Sequence, residues 1–451
     1  MSKIQITTGI DIGTDTIKIL AVKKDFETGK ILDVVFLDKI KSFGIQKGRI
    51  KNVSEVSKKI QELIEKSDQM QGNKRSHDSE VFVNINGNKL QLISSRGLIL
   101  VGRADQKVSQ EDKDRIFQNT KAVNLQATNK DILDIFPKEW ILDGEKEIKD
   151  PLGLHGTRLE LEAFLLSAFS SDLDNILEAG IGAGVELDVE NIVPSPIADA
   201  RSVLTPEQRE LGVVMVNIGA STTSVIIFEE GKLLDLAVFP VGSANITNDI
   251  AIGFKTEIEI AEKIKKEHGA CSLPGSQSNK RIEMDISLFD NEKEPEDISE
   301  NKIIELIDDS KKSRLNKVKT KKDKKNTLTF SEKDLRKIID ARVGEIYELV
   351  AAEIKKVSRH GMLPGGVVLT GGGSKMPGMI DLAKKEFNLP CRVGYPKGFN
   401  EQIKDPCFAT VCGLVIDDFD EDGLENGKGG EDGLSGKLFG KIGNFIKNLM
   451  P

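Results

Sequence analysis

The sequence has little sulfur and little imidazole. Only four cysteines (Cys271, Cys391, Cys407 and Cys412) and four histidines occur in 451 residues. No two cysteines show C-x-x-C spacing and no histidine stands at ligand spacing from them, which argues against a zinc site. The cysteines read as buried or idle thiols in a reducing cytosol. Long apolar runs are also lacking. None approaches the roughly 18 residues of a transmembrane helix. The opening "MSKIQITTGIDIG" has no basic stretch followed by an apolar run, so no signal peptide is expected. Positive charge is not in excess either. Lys plus Arg number 64 against 72 for Asp plus Glu, for a net charge of -8. That balance argues against nucleic-acid binding across the whole surface, though not against a local basic patch. What is present is an apolar content of 38%, enough for sizeable cores, and a length that suggests about three domains.

The chain contains an internal echo. Residues 10–16 read "IDIGTDT" and residues 216–222 read "VNIGAST". Each is an apolar strand, a polar residue (Asp11 or Asn217), Ile-Gly, a small or polar pair and Thr. Each then returns to a second apolar strand, "IKILAV" or "TSVIIF". Two strands joined by a Gly-centred turn predict a β-hairpin. A third glycine stretch, "GGVVLTGGGSKMPGM", spans 365–379. Its Val367-Val368-Leu369 run predicts a buried parallel strand, and "GMIDLAKKEF" predicts a helix that starts near Pro377. Glycines between strand and helix let backbone approach a ligand and expose N–H groups. The stretch matches neither a P-loop nor G-x-G-x-x-G. Taken alone, such a turn is equally well structural.

Helical spacing also marks 258–269 and 331–357. Between them, 311–325 carries nine basic residues and one acid. This run predicts a solvated insertion loop, with contact to acidic lipid or a partner as the alternative. The segment 417–433 is acidic, glycine-rich and poor in apolar residues, which predicts a flexible linker.

The three glycine elements together imply more than each alone. Two homologous hairpins facing across a cleft can cradle the phosphates of one nucleotide from both sides with their turn N–H groups. Thr14, Thr16, Ser221 and Thr222 can add hydroxyl bonds. Asp11 suits an outer-sphere partner of Mg²⁺, which keeps several waters and takes few carboxylates. The third turn would lie against the adenosine.

At these residues the chain resembles the actin, sugar kinase and DnaK-type ATPase superfamily. "GIDIGTDTIKILAV" resembles its first phosphate motif, "VNIGASTTSVIIF" its second and "GGVVLTGGGSKMPG" its adenosine motif. Within the superfamily it is most similar to the FtsA family of bacterial cell division. That resemblance runs from about Ile10 to Gly413 and includes "VFVNINGNKLQLISSRGLILV", "PLGLHGTRLELEAFLL" and "PVGSANITNDIAIGF".

The resemblance implies an α/β fold with a duplicated actin-like core. Residues 1–85 with 167–209 would form the first half, and 86–166 the small subdomain that FtsA carries and actin lacks. Residues 210–245 with 346–416 would form the second half, and 246–345 its subdomain with the charged insertion. It implies ATP and Mg²⁺ as cofactors. Asp11, Gly13, Thr14, Thr16 and Lys18 would line the site from the first motif, with Asp11 toward the metal. Asn217, Gly219, Ala220, Ser221 and Thr222 would line it from the second, and Gly371, Gly372, Gly373, Ser374 and Met376 from the third. Glu262 and Lys265 match positions that contact ribose and adenine.

Two departures from the superfamily pattern bear on hydrolysis. Asn217 and Ala220 stand where the second motif usually carries Asp and Gly. Ser195 stands where DnaK-type chaperones place a Glu before a proline to position the attacking water. Both losses remove negative charge, and no replacement carboxylate is legible. Water needs a polar group within reach to be oriented, so slow hydrolysis is expected. Asn217 as an isostere that still bonds the same water is the alternative.

Placed on a helix, residues 434–450 divide cleanly. Leu438, Phe439, Ile442, Phe445, Ile446 and Leu449 fall on one side, and Lys437, Lys441 and Lys447 on the other. This predicts a helix lying in a membrane interface with its lysines toward anionic headgroups. A helix docked on the protein's own core or a partner's groove would show the same division. FtsA-like proteins end in a membrane-targeting helix behind a flexible linker.

The resemblance thus implies head-to-tail filaments on the cytoplasmic face of the cell membrane at the division septum. The filaments would bind the C-terminal peptide of FtsZ and recruit downstream division proteins, with no role for nucleic acid. A cytoplasmic adaptor of the PilM type and a sugar kinase-type phosphotransferase are the other readings. The tail and linker count against the first. The small insert, where a sugar pocket would be needed, counts against the second.

Overall fold

The computed structural model describes residues 4–70, 80–102, 105–122, 129–272, 280–285, 327–357, 363–399 and 402–417. The basic run 311–325, the linker beyond Asp417 and the tail 434–451 lie outside the described residues.

The first glycine motif forms the turn between β1 (Ile4–Ile12) and β2 (Thr16–Asp25), which pair antiparallel with Asp11 opposite Lys18. β3 (Ile31–Lys41) extends the sheet beyond β2. A two-strand hairpin, β4 (Ile45–Gln46) and β5 (Arg49–Ile50), turns through Lys47 and Gly48. Helix α1 (Val53–Met70) buries Val56, Ile60, Leu63 and Ile64, an i, i+4, i+7, i+8 stripe that faces the sheet. β6 (Glu80–Ile85) lies parallel to β1.

The chain then leaves this sheet to build a second one. β7 (Gln91–Leu100), α2 (Gln110–Lys121), β8 (Lys130–Leu142), β9 (Glu145–Ile148) and β10 (Arg158–Phe169) form an antiparallel sheet in the order β7-β10-β8-β9. Its core is separate: Ile99, Ile116, Trp140, Leu159, Leu161 and Leu165 pack together. Phe117 meets Trp140 edge-on, ring centroids 5.6 Å apart. Helix α2 starts at a capping box in which Ser109 and Asp112 satisfy each other's backbone N–H. The chain returns through α3 (Ser170–Gly182) to β11 (Ile192–Pro194), parallel to β6. This completes the first sheet in the order β11-β6-β1-β2-β3. α4 (Ser195–Val203) and α5 (Pro206–Leu211) follow.

The second half repeats this plan. β12 (Val213–Ile218), β13 (Thr223–Glu229) and β14 (Lys232–Phe239) form the antiparallel meander. Next come α6 (Ser243–Phe254) and α7 (Ile258–His268). The antiparallel pair β15 (Arg281–Asp285) and β16 (Thr327–Ser331) precedes the long α8 (Glu332–Val357). β17 (Val367–Thr370), α9 (Met379–Phe387), β18 (Cys391–Val393) and α10 (Ala409–Leu414) close the chain of described elements. The sheet order is β14-β13-β12-β17-β18, the first half's order over again.

The apolar runs in this sheet reflect burial on both faces. Val213 and Met215 of β12 and Ile226 and Phe228 of β13 join the core shared with the first half. Val214, Val216, Ile218, Val225 and Ile227 point the other way, into the core beneath α6, α7 and α8. The predicted Val-Val-Leu strand is β17, fully buried and parallel to both β12 and β18.

α10 returns to the first half and lies against α4 in backbone contact. A Cβ on Gly413 would come within 1.6 Å of the Ala198 carbonyl oxygen, so only glycine fits the crossing. α4 and α10 pack on each other and on strands of both sheets, and so join the two halves.

Candidate functional site

The two hairpin turns meet. Thr14 Oγ1 lies 2.7 Å from Ser221 Oγ, across 207 positions of sequence. Thr14 Oγ1 also accepts from the Gly48 N–H at 3.2 Å, and Thr222 Oγ1 accepts from Asn86 Nδ2 at 3.3 Å. Glycine is required by the turns themselves. A Cβ on Gly13 would stand 2.7 Å from the Thr16 carbonyl oxygen, and one on Gly219 3.1 Å from that of Thr222. The second turn is pinned by the start of α6, whose Ser243 and Ala244 N–H groups donate to the Gly219 and Ala220 carbonyls at 2.9 and 2.7 Å. No acceptor for the N–H groups of Gly13, Thr14, Ala220 or Ser221 is found among the described residues. Thr16 sits at the first position of β2, opposite Lys41.

Beneath the first turn is a buried charge pair. Lys18 Nζ donates to Asp11 Oδ2 at 2.6 Å, and Asn84 Nδ2 donates to Asp11 Oδ1 at 2.9 Å. Burial works to lower the Lys18 ammonium, but the charge and hydrogen bond of Asp11 outweigh it and hold it above its usual value. Asn84 also donates to Ser195 Oγ at 2.9 Å, and Ser195 in turn donates to the Ile85 carbonyl at 3.2 Å. Ser195 therefore sits inside this network, 2% exposed.

Beneath the second turn the chemistry is reversed. Asn217 Nδ2 donates to Asp199 Oδ2 at 2.6 Å, and Thr410 Oγ1 donates to Asp199 Oδ1 at 2.7 Å. Asp199 lies on α4, Thr410 on α10 and Asn217 at the end of β12. The carboxyl is completely buried. Burial drives its pKa up to about 7, against the hydrogen bonds from Thr410 and Asn217. Sequence reasoning missed Asp199, because nothing in "PIADARSV" marks its partners 18 and 211 positions away.

The other two elements close the cleft from the second half. On α7, Lys265 Nζ pairs with Glu262 Oε2 at 2.6 Å and donates to Thr247 Oγ1 at 2.7 Å and the Ser243 carbonyl at 3.2 Å. Burial acts to raise the Glu262 carboxyl, but bonds from Lys265 and Thr247 keep it below its usual range. Asp15 of the first turn feels both Lys265 and Lys266 across the gap.

The third glycine turn follows β17. Gly371 has φ +81°, and a Cβ there would strike Asn217 Oδ1 at 2.1 Å. Gly373 packs on Ile218, and Ser374 Oγ donates to the Gly371 carbonyl at 2.7 Å, closing the turn. Met376 packs against the second-half core. Gly372 alone is exposed, and a Cβ there would meet only Cys407 Sγ, at 3.4 Å. Cys271, Cys391 and Cys412 are buried free thiols. Burial pushes Cys271 up to about 12 and Cys391 to about 11. No group of three or more metal-ligating side chains stands together among the described residues. Among them, no helix is long and apolar enough to cross a membrane.

Comparison with known proteins agrees with this geometry. A family model described as "Cell division protein FtsA" matches residues 214–413, and one described as "SHS2 domain inserted in FTSA" matches residues 87–167. The second match falls on the β7–β10 sheet. "Cell division protein FtsA" of Pseudomonas aeruginosa is 30% identical over 411 residues, 90% of this chain and 88% of that protein. The Bacillus subtilis protein of the same name is 29% identical over 415 residues, covering 92% and 84%.

Among solved structures, the PilM–PilN type IV pilus biogenesis complex matches with TM-score 0.56 and 15% identity, covering 91% of this chain and 97% of that one. MreB5 of Spiroplasma citri bound to ADP matches with TM-score 0.50 and 10% identity, covering 98% and 99%. These likenesses show an actin-like ATPase fold, with the SHS2 insert in the first half. Identity of 30% sustained over nine-tenths of the sequence establishes that the chain belongs to the FtsA family of cell division proteins.

Proposed function

We propose that this chain is an ATP-binding, actin-like membrane tether. It polymerises on the cytoplasmic face of the cell membrane, anchors FtsZ filaments there through their C-terminal peptide, and helps recruit the division machinery. The observation that carries the reading is the meeting of two copies of one hairpin turn, one from each half, at Thr14 and Ser221.

The residues present fit a nucleotide. The N–H groups of Gly13, Thr14, Ala220 and Ser221, which have no acceptor among the described residues, would form an anion cradle. Phosphates would replace the direct Thr14–Ser221 contact with bonds to both hydroxyls. Asp11, already neutralised by Lys18, suits a water-mediated role toward Mg²⁺ more than direct ligation. The metal would supply charge neutralisation of the phosphates. Gly372 leaves an exposed face that admits the adenosine, with Glu262 and Lys265 toward the ribose and adenine. With Asn217 and Ser195 neutral, turnover is slow and the nucleotide acts as an assembly ligand. A ligand bound to both halves favours the closed form by mass action.

The tail completes the tether. Each tail binds the membrane weakly, and a filament of many makes attachment firm. Co-sedimentation of the full chain with FtsZ and anionic liposomes, with and without ATP, tests the reading. FtsZ in the liposome fraction only when this protein is present supports it; FtsZ left in solution refutes it.

A further inference from the structure

The same pair of groups stands at both hairpins, in opposite positions. In the first half the hairpin supplies the carboxylate, Asp11, and a neighbouring element supplies the amide, Asn84, at 2.9 Å. At the second hairpin the amide, Asn217, stands on the hairpin and α4 of the first half supplies the carboxylate, Asp199, at 2.6 Å. Asn217 is the one residue of β12 that is not buried, whereas Asp199 is 0% exposed. A ligand in the cleft can therefore touch Asn217 and never Asp199.

We propose that Asp199, on α4 of the first half, is the nucleotide-site carboxylate behind the second hairpin, working through Asn217 as a positioning residue. This rests on the nucleotide reading above and deepens it. Above its pKa of about 7 the group is a carboxylate that can only accept, so there Asn217 turns Nδ2 toward it and Oδ1 away. Oδ1 then lies against Gly371, where the absence of a Cβ leaves it room. It is an acceptor fixed between the second and third glycine turns, placed to hold a water of the hydrated Mg²⁺ or the water that attacks phosphate. The charge behind Nδ2 polarises the amide and strengthens that acceptor. Thr410 holds the other carboxylate oxygen and keeps the group from rotating. Because Asp199, Asn217 and Thr410 come from α4, β12 and α10, the same bonds tie the acceptor to the joint between the halves.

The test uses the full chain and three proteins: wild type, Asp199→Asn, and the exchange Asp199→Asn/Asn217→Asp. Asn at 199 is isosteric. Its Oδ1 accepts from Asn217, and Thr410 turns from donor to acceptor, so the apo protein folds and melts no lower than wild type. ATP affinity is measured by calorimetry at pH 8, where Asp199 is ionised, in Mg²⁺ and in EDTA. In Mg²⁺ the Asp199→Asn variant should lose about tenfold in affinity, a factor that corresponds to about 1.4 kcal/mol. In EDTA it should bind ATP as well as wild type or better, because an anion near the phosphates has been removed. The exchange returns a carboxylate to the pair, with the hydrogen bond now running from the amide at position 199 to the carboxylate at position 217, and should restore the Mg²⁺-dependent gain.

Unchanged affinity of Asp199→Asn in Mg²⁺ would make Asp199 a structural group only, and overturn the proposal. A folded exchange variant that stays as weak as Asp199→Asn would overturn it too. Wild type that binds no ATP in either medium would defeat the nucleotide reading itself, and this proposal with it.

Discussion

Gly372→Asp should abolish ATP binding while leaving the fold intact. The new Cβ would meet only Cys407 Sγ at an ordinary 3.4 Å, and Gly372 does not have the positive φ that makes Gly371 irreplaceable. The turn therefore accepts the side chain, and its carboxylate projects into the space left for the nucleotide. The adenosine would have to displace that side chain or take its charge out of water, which costs several kcal/mol, and about 4 kcal/mol corresponds to roughly a thousandfold in affinity. Gly372→Ala is the control, since it adds the Cβ without the charge and should lose far less. The assay is calorimetric titration with Mg·ATP, paired with thermal melting of the apo protein. Unaltered affinity in a folded Gly372→Asp variant would remove the third turn from the site. Gly13→Asp is a poorer test, because its Cβ would strike the Thr16 carbonyl and disturb the hairpin itself.

Asp199→Asn should also change stability with pH. The carboxyl stands at about 7 in the fold against an ordinary 3.8, so the folded state holds its proton longer than the unfolded one. Its contribution is complete below pH 3.8 and is lost as pH rises through 7, a fall on the order of 4 kcal/mol. Lys18 works to lower the group and Asp11 to raise it, so both stay in place for the comparison. The variant should out-melt wild type at pH 8 and match it at pH 4; equal curves at both would contradict the burial argument. Cysteines at Thr14 and Ser221, whose hydroxyls lie 2.7 Å apart, should cross-link under mild oxidation. Saturating Mg·ATP should protect them, as read by mass under non-reducing conditions; cross-linking at an unaltered rate would place the phosphates elsewhere. On the tail, Lys441→Glu should weaken liposome binding only on anionic lipid, by about 1 kcal/mol or somewhat more. High salt should mimic that change, and equal loss on neutral lipid would contradict the assigned polar face.

The parts of the fold that were legible in the sequence are those specified locally. Ile-Gly turns between apolar strands identify both hairpins, because a tight turn needs glycine and the flanking runs are buried on both faces. Val367-Val368-Leu369 followed by three glycines identifies β17 and its turn for the same reason. The helices at 258–269 and 331–357 follow from spacing and appear as α7 and α8. What was not legible is long-range. The Thr14–Ser221 contact joins turns 207 positions apart, and the Asn217–Asp199–Thr410 bonds join three elements that share no motif. Asn217 alone reads as the loss of a carboxylate; only the packing of α4 against α10 shows that one stands directly behind it. Ser374 and Met376 belong to the third glycine motif in sequence. In space, Ser374 closes that turn on Gly371 and Met376 packs into the core.

The central claim, that the chain links a division filament to the membrane through its C-terminal segment, is tested most directly by FtsZ recruitment to anionic liposomes. Full chain, a chain ending at 433 and Phe445→Glu are compared in the presence of ATP. Six large apolar side chains in the tail, each worth roughly 1.5–3 kcal/mol on full burial before ordering costs, would make it the main membrane contact. The account predicts that FtsZ floats with liposomes only with the full chain. The truncated protein should still bind ATP and FtsZ and melt as before, and Phe445→Glu should lose most of the recruitment. FtsZ brought to liposomes equally well by the truncated chain, or a truncated chain that melts well below the full one, would contradict it.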